Sequence, residues 1–196
     1  MLQPDGAGSG THAHWSLLDR AGRPTHGPAR PCDLSAAAER MAAGMLHHMP
    51  ALVAVSAPSV ASFHRLRPGR RAPTMADLGV QGRGSAVRVC PVHATAPETA
   101  VPETAARQLN VEFRVADAAA GPCLALGALA RAGLDGLAPA PLPASLAEAA
   151  GHFEASAAAA DWLGPLHDLH LRFKRAEKAL AGLDEAAVCA RYAAIP

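Results

Sequence analysis

The chain has 196 residues, half of them apolar, and carries 18 Lys and Arg against 17 Asp and Glu for a formal net charge of +1. This size and apolar share can bury a core as one globular domain, which argues against a disordered chain. Balanced charge without a long basic block argues against a nucleic-acid partner, and apolar runs too short and too broken by Gly and Pro to span a bilayer argue against a membrane one.

The four cysteines, Cys32, Cys90, Cys123 and Cys189, are far apart and form no Cys-x-x-Cys pair. Neither a zinc ribbon nor a disulfide framework is predicted, and reduced thiols in a cytoplasmic protein are expected. The opening MLQPDGAGSG has neither the basic start nor the apolar stretch of a secretory signal.

In chain order, the alternation of Thr11 to Leu18 predicts a strand, closed by the turn-like DRAG. His12 and His14 fall on one face of it, either as a ligand pair or as two polar residues on a wet face. Ser35 is placed to cap a helix through AAAERMAAGMLHHM, with Ala38, Met41, Met45 and Leu46 near one side and Pro50 restricting its end; ALVAVSA predicts a second short helix. SFHRLRPGRRAP reads as a long loop. GSAVRVC and LNVEFRVAD predict two more strands, with Val87 and Val89 opposing Arg88, and Val111 and Phe113 opposing Glu112 and Arg114. The intervening PVHATAPETAVPETAA, with its APET and VPET near repeat, reads as a flexible insert.

From GPCLALGALARAGLDG onward the pattern is helical. Ser145 and Glu148 form a capping-box pair. In the last long helix Leu166, Leu169, Phe173, Ala176 and Leu180 step three or four apart and predict the buried side, with Arg172, Lys174, Arg175 and Lys178 on the wet one. Strands early and helices late, without βαβ repeats, give an α+β class with a largely antiparallel sheet.

Six arginines, Arg65, Arg67, Arg70, Arg71, Arg83 and Arg88, fall within 24 residues whose one acid is Asp77. They are either a solvated loop or an anion site, because the guanidinium fork matches phosphate and carboxylate. Glu112, two residues before Arg114, is either half of a structural ion pair or part of that site. A histidine and a carboxylate facing several arginines would suit a divalent ion and a polyphosphate, yet no Walker sequence or G-x-G-x-x-G occurs.

Taken together and in order, GSGTHAHWSLLDRAGR, LSAAAERMAAGMLHHMPALVAVSAPSVASFHRLRPGRRAP, GRGSAVRV, NVEFRVADAAAGPCLALGALARAGLDGL, LPASLAEAAGHFEAS and FKRAEKALAGLDEAAVCARY resemble the glutamine synthetases. The resemblance implies an ATP-dependent ligase that phosphorylates the side-chain carboxylate of glutamate and lets ammonia attack the acyl phosphate, with Mg²⁺ or Mn²⁺ as the metal. By position it makes His12 and Glu112 metal ligands, His14 and Ser16 nucleotide contacts, and Arg88 and Arg107 nucleotide-binding positions. It makes Gly8, Arg65 and Arg114 glutamate-binding, and Arg83 a catalytic arginine that touches both substrate and phosphate.

Against the family pattern, Ala7 stands for an asparagine, Gly82-Arg83 for Asn-Arg, Gly121-Pro122 for Asn-Pro, and Arg71 for a glutamate that helps capture ammonium. These departures imply a divergent branch in which the amine acceptor, or even the acid, differs. Residues 1–196 correspond to the C-terminal part of the catalytic domain, without the N-terminal β-grasp domain or the first catalytic segment and its paired metal-binding glutamates. The resemblance also implies a homo-oligomer, or association with a full-length relative. Three readings follow: a ligase of which this chain is a truncated part, an inactive remnant, or a γ-glutamyl ligase for polyamines or other amines.

Overall fold

The computed structural model describes residues 8, 10–26, 34–90, 106–136, 143, 145–177 and 184–193. Four three-residue strands, β1 (Ala13–Trp15), β2 (Leu78–Val80), β3 (Val87–Val89) and β4 (Val111–Phe113), form one sheet in the order β1-β4-β3-β2. β4 pairs antiparallel with both β1 and β3, while β2 joins β3 in parallel. The class is α+β, as the order of strands and helices predicts.

Alternation decides what each face of the sheet carries. Val87, Val89, Val111 and Phe113 are buried in the core, with Ala13 and Trp15 packed against it. The residues between them, His14, Arg88 and Glu112, therefore share the opposite face.

α1 (Ala36–His47) starts at Ser35, whose hydroxyl accepts from the Ala38 amide at 3.1 Å, and buries Ala38, Ala42, Met45 and Leu46. α2 (Met49–Ser56) follows after His48 and carries Pro50 in its first turn, where a missing amide hydrogen is harmless. The predicted loop after it contains a helical turn, α3 (Ser62–Arg65), whose Ser62 and Ser59 cap one another. α4 (Pro122–Asp135) packs on α1, where an added Cβ on Gly44 would lie 1.9 Å from the Ala132 carbonyl oxygen. Only glycine allows these helices to approach so closely.

α5 (Leu146–Ala155) is capped by Ser145, whose hydroxyl accepts from Glu148 N at 3.1 Å. α6 (Ala157–Leu163) ends at Gly164, φ +49°, and Pro165 opens α7 (Pro165–Glu177); α8 (Glu185–Ala193) completes the described helices. No helix among the described residues is long and apolar enough to cross a membrane. Cys90, Cys123 and Cys189 are free thiols. Cys32, Leu180, Lys178 and the APET and VPET segment lie outside the described residues.

α7 leaves Arg172 and Arg175 exposed as expected but departs from the rest of the predicted burial. Leu166, Leu169 and Phe173 are 54%, 57% and 65% exposed, whereas His167, Leu171 and Lys174 are buried. The cause is hydrogen-bond demand. His170 Nε2 meets the Ala54 carbonyl at 2.9 Å in the last turn of α2, and His167 Nε2 meets that of Phe153 at 3.1 Å in the last turn of α5. Lys174 Nζ donates to the Pro58 carbonyl at 2.5 Å and to Glu177 Oε2 at 2.7 Å. The Ala54 carbonyl in the last turn of α2 and the Pro58 carbonyl need donors, and a leucine side chain has none to offer.

Candidate active site

The polar face of the sheet is organised around Glu112. Its side chain is 2% exposed, and strand register puts His14 on one side of it and Arg88 on the other. Arg88 Nε donates to Oε2 at 2.5 Å and Arg114 Nη1 to Oε1 at 2.9 Å. Burial pushes the Glu112 carboxyl pKa up, but the hydrogen bonds from Arg114 and Arg88 outweigh it and leave the pKa below the usual carboxylate value. Glu112 is thus held ionised between two guanidinium groups.

His14 Nε2 lies 3.6 Å from Glu112 Oε1, and its Nδ1 lies 2.8 Å from Asn110 Oδ1. Cys90 Sγ sits 3.9 Å from both Glu112 Oε2 and His14 Nδ1. Burial raises the Cys90 thiol pKa above its usual value despite the neighbouring Arg88, so this thiol stays protonated and poorly nucleophilic. His12 is exposed just before β1. Its pKa is lowered by partial burial and by Arg114, with Glu112 acting in the opposite sense, and Arg65 and His14 contribute further. It therefore shares the electrostatic environment of the Glu112 cluster. Ser16 is turned to the Leu109 carbonyl at 3.3 Å.

Arg65 reaches the cluster from α3. It is 6% exposed, donates through Nη2 to the carbonyls of Val115 and Ala116, the latter at 2.9 Å, and keeps Nε buried without a hydrogen-bond partner. The chain crosses its stem at Gly8, where an added Cβ would sit 3.1 Å from Arg65 Cβ and Cγ. Two predicted substrate positions, Gly8 and Arg65, are thereby brought into contact. Arg83 is exposed in the turn between β2 and β3, Arg107 is exposed in a helical turn before β4, and Arg71 is exposed with φ +57°.

Asn110 and Asp117 are the residues that sequence reasoning passed over. Asp117 bridges to Gly10, its amide donates to the Ser56 carbonyl at 3.0 Å, and its carboxyl faces Ser62, Arg65 and Lys174. Burial raises its pKa above the usual value. Its spacing from Arg65 was invisible in sequence, since 51 residues separate them and only the fold closes the gap.

The types of donor, imidazole from His12 or His14 and carboxylate from Glu112, suit a divalent ion. Among the described residues, however, no group of three or more His, Cys, Asp or Glu is arranged to hold one, and both oxygens of Glu112 already accept from arginine. These residues supply a partial set for an ion that takes about six ligands. Two arginines, Arg88 and Arg114, close on one sheet carboxylate, and Arg65 nearby is balanced by Asp117, so cationic groups outnumber carboxylates on this face.

Comparison with known proteins places this α+β fold and its arginine-bearing sheet face in a family. Residues 2–141 match the family model described as glutamine synthetase, catalytic domain. A gamma-glutamylpolyamine synthetase of Streptomyces coelicolor is 40% identical over 158 residues, which are 79% of this chain and 32% of that protein. A crystal structure described as a novel glutamine synthase homolog superposes with a TM-score of 0.82 at 38% identity, over 94% of this chain and 45% of that one. A structure of a GmaS/ADP complex gives a TM-score of 0.72 at 28% identity, over 88% and 43% of the two chains. The chain belongs to the glutamine synthetase catalytic-domain family, and it spans about a third of the length of that curated relative.

Proposed function

We propose that this chain is part of a glutamine synthetase-like, ATP-dependent ligase that joins the side-chain carboxylate of glutamate to ammonia or another amine. The observation that carries this reading is the row His14, Glu112 and Arg88 across three paired strands, with Arg114 and Arg65 beside it. Phosphoryl transfer needs little covalent help from a protein; it needs charge neutralised and groups held in line. Arg88, Arg107 and Arg83 are assigned to nucleotide phosphates, Arg83 also to the transferred group, and Gly8, Arg65 and Arg114 to glutamate. His14 and Ser16 contact the nucleotide side. His12 and Glu112 are this chain's share of a Mg²⁺ or Mn²⁺ site. The ion, when bound, would neutralise phosphate charge.

A cytoplasmic site of action and assembly with further copies, or with a full-length relative, belong to the same proposal. A second reading, with an amine other than ammonia as acceptor, is supported by Arg71, which stands where the resemblance expects a glutamate that captures ammonium. The polyamine-linked name of the Streptomyces coelicolor relative supports it too.

Equilibrium binding of ATP to the purified chain, with and without Mg²⁺, tests the nucleotide assignment. Arg88→Gln should weaken binding about tenfold, the size of one lost charge-assisted contact. Equal affinity in the variant removes the assignment. Formation of γ-glutamyl hydroxamate from glutamate, hydroxylamine and ATP tests the reaction, and with so partial a metal set the isolated chain is expected to turn over slowly. Robust turnover abolished by His12→Ala or Glu112→Ala excludes an inactive remnant.

A further inference from the structure

Parallel pairing with β3 uses only half of the peptide groups of β2. The Asp77 carbonyl accepts from Val87 N at 3.0 Å, and Gln81 N donates to the Val89 carbonyl at 3.0 Å. Peptide groups alternate in direction along a strand, so Gly79 also faces β3, and those of Leu78 and Val80 face away from it. β2 is the last strand of the sheet, and among the described residues nothing bonds to that outer edge. The core face ends there too. Val87 and Val89 are 0% and 3% exposed, whereas their partners Leu78 and Val80 are 42% and 52% exposed. Edge strands are ordinarily protected by a charge or a proline, and Leu78-Gly79-Val80 carries neither.

We propose that β2 pairs antiparallel with β2 of a second copy of this chain, about a two-fold axis through Gly79, and so joins two four-stranded sheets. The outward groups are self-complementary. In this register Leu78 of one copy faces Val80 of the other and exchanges two hydrogen bonds with it, and the axis repeats the pair. Gly79 meets its own equivalent between them. On the core face, Leu78 and Val80 of the two copies lie side by side and shield one another from water. Charge matches in the same sense: Asp77 precedes β2 and Arg83 follows it, so antiparallel pairing carries the acid of each copy toward the arginine of the other. A formal net charge of +1 leaves little repulsion between whole chains. Both rows of His14, Glu112 and Arg88 then fall on one face of the joined sheet. So short a strand pair buries less than the roughly 1,200–2,000 Å² of a standard interface, which makes the association weak and concentration-dependent. The inference gives a place to the assembly with further copies proposed above, and it stands on the sheet alone, without nucleotide or substrate.

Sedimentation velocity of the full chain over a range of concentrations, without nucleotide, tests the pairing. Wild type should pass from monomer to dimer and no further, since the two-fold axis uses up the edge. Val80→Lys, which sets a charge among the apolar side chains of the joint, should stay monomeric at every concentration with an unchanged far-ultraviolet spectrum. Arg83→Glu should weaken the dimer about tenfold, because two symmetric charge pairs are lost together. Amide hydrogen exchange locates the edge. The Leu78 and Val80 amides should slow as wild-type concentration rises, while the Val87 amide, already bonded to Asp77, should hold its rate. A wild type that stays monomeric or forms assemblies larger than two overturns the proposal. So does a dimer untouched by Val80→Lys or Arg83→Glu, and so do Leu78 and Val80 amides indifferent to concentration. If Val80→Lys does not fold, exchange in the wild type decides alone. ATP takes no part in these measurements, so a missing dimer leaves the nucleotide assignment standing, and missing nucleotide binding leaves the dimer standing.

Discussion

Arg88 and Glu112 are direct cross-strand partners in the antiparallel register of β3 and β4, and Arg88 Nε meets Glu112 Oε2 at 2.5 Å with both side chains nearly out of solvent. A strand pair placed the charges opposite one another, and Arg114 on β4's own continuation closed the second oxygen.

Removing the carboxylate should therefore be more damaging than its place on a binding face implies. Glu112→Ala leaves two largely buried guanidinium groups without their anion, and loss of one partner of a buried pair typically destabilises by about 3–5 kcal/mol. Urea denaturation should show a lower midpoint with an unchanged slope. A change below about 1 kcal/mol would mean that water reaches the arginines freely.

The inverted helix α7 yields a paired test. Leu169→Ser and Phe173→Ser alter residues that are 57% and 65% exposed and should each change stability by less than about 0.5 kcal/mol. Lys174→Leu, although it adds apolar surface to a buried position, strips the Pro58 carbonyl and Glu177 of their donor. It should cost about 2–3 kcal/mol in the same denaturation measurement. The opposite ranking would restore the hydrophobic face that spacing predicts.

That reversal shows where sequence was informative. The Ser35 cap, the strands around Val87 and Val111, and the placing of Glu112 and His14 on one face all follow from short-range pattern. The inward turn of His170 and Lys174 does not, because it depends on carbonyls of Ala54 and Pro58 that the fold brings up from far along the chain. The same holds for the site: Glu112 and Arg114 were visible as neighbours, but Asn110 facing His14 needed the β1–β4 register, and Asp117 beside Arg65 needed the turn α3 that arginine-rich sequence disguised as loop.

The α1–α4 crossing should tolerate no side chain at Gly44. An added methyl would meet the Ala132 carbonyl oxygen at 1.9 Å, a contact with backbone that no rotamer relieves. Gly44→Ala gains helix propensity of about 1 kcal/mol, yet it should be destabilised by about 1–3 kcal/mol overall as the helices are forced apart. Thermal melting of the variant against wild type measures it. Gly127→Ala, with open space around its position on α4, supplies the control and should be neutral or slightly stabilised.

Acid should destabilise the fold as its half-buried histidines take up protons. Burial lowers the pKa of His170, the Ala54 carbonyl hydrogen bond partly opposes it, and Lys174 and His167 lower it further; His48 is likewise lowered, by burial first and by His47, with Asp135 opposing. For a histidine whose folded pKa is depressed, the unfolded chain takes the proton first. Stability is then complete above the unfolded value of about 6.5 and is lost as pH falls from there through the depressed folded value. Stability measured by urea at a series of pH values should therefore fall as pH drops below about 7. His170→Gln keeps a donor for the Ala54 carbonyl while removing the titrating ring, so it should flatten that slope while leaving the stability above pH 7 within about 1 kcal/mol of wild type. An undiminished slope in His170→Gln would assign the acid sensitivity to His48 and the other buried imidazoles instead.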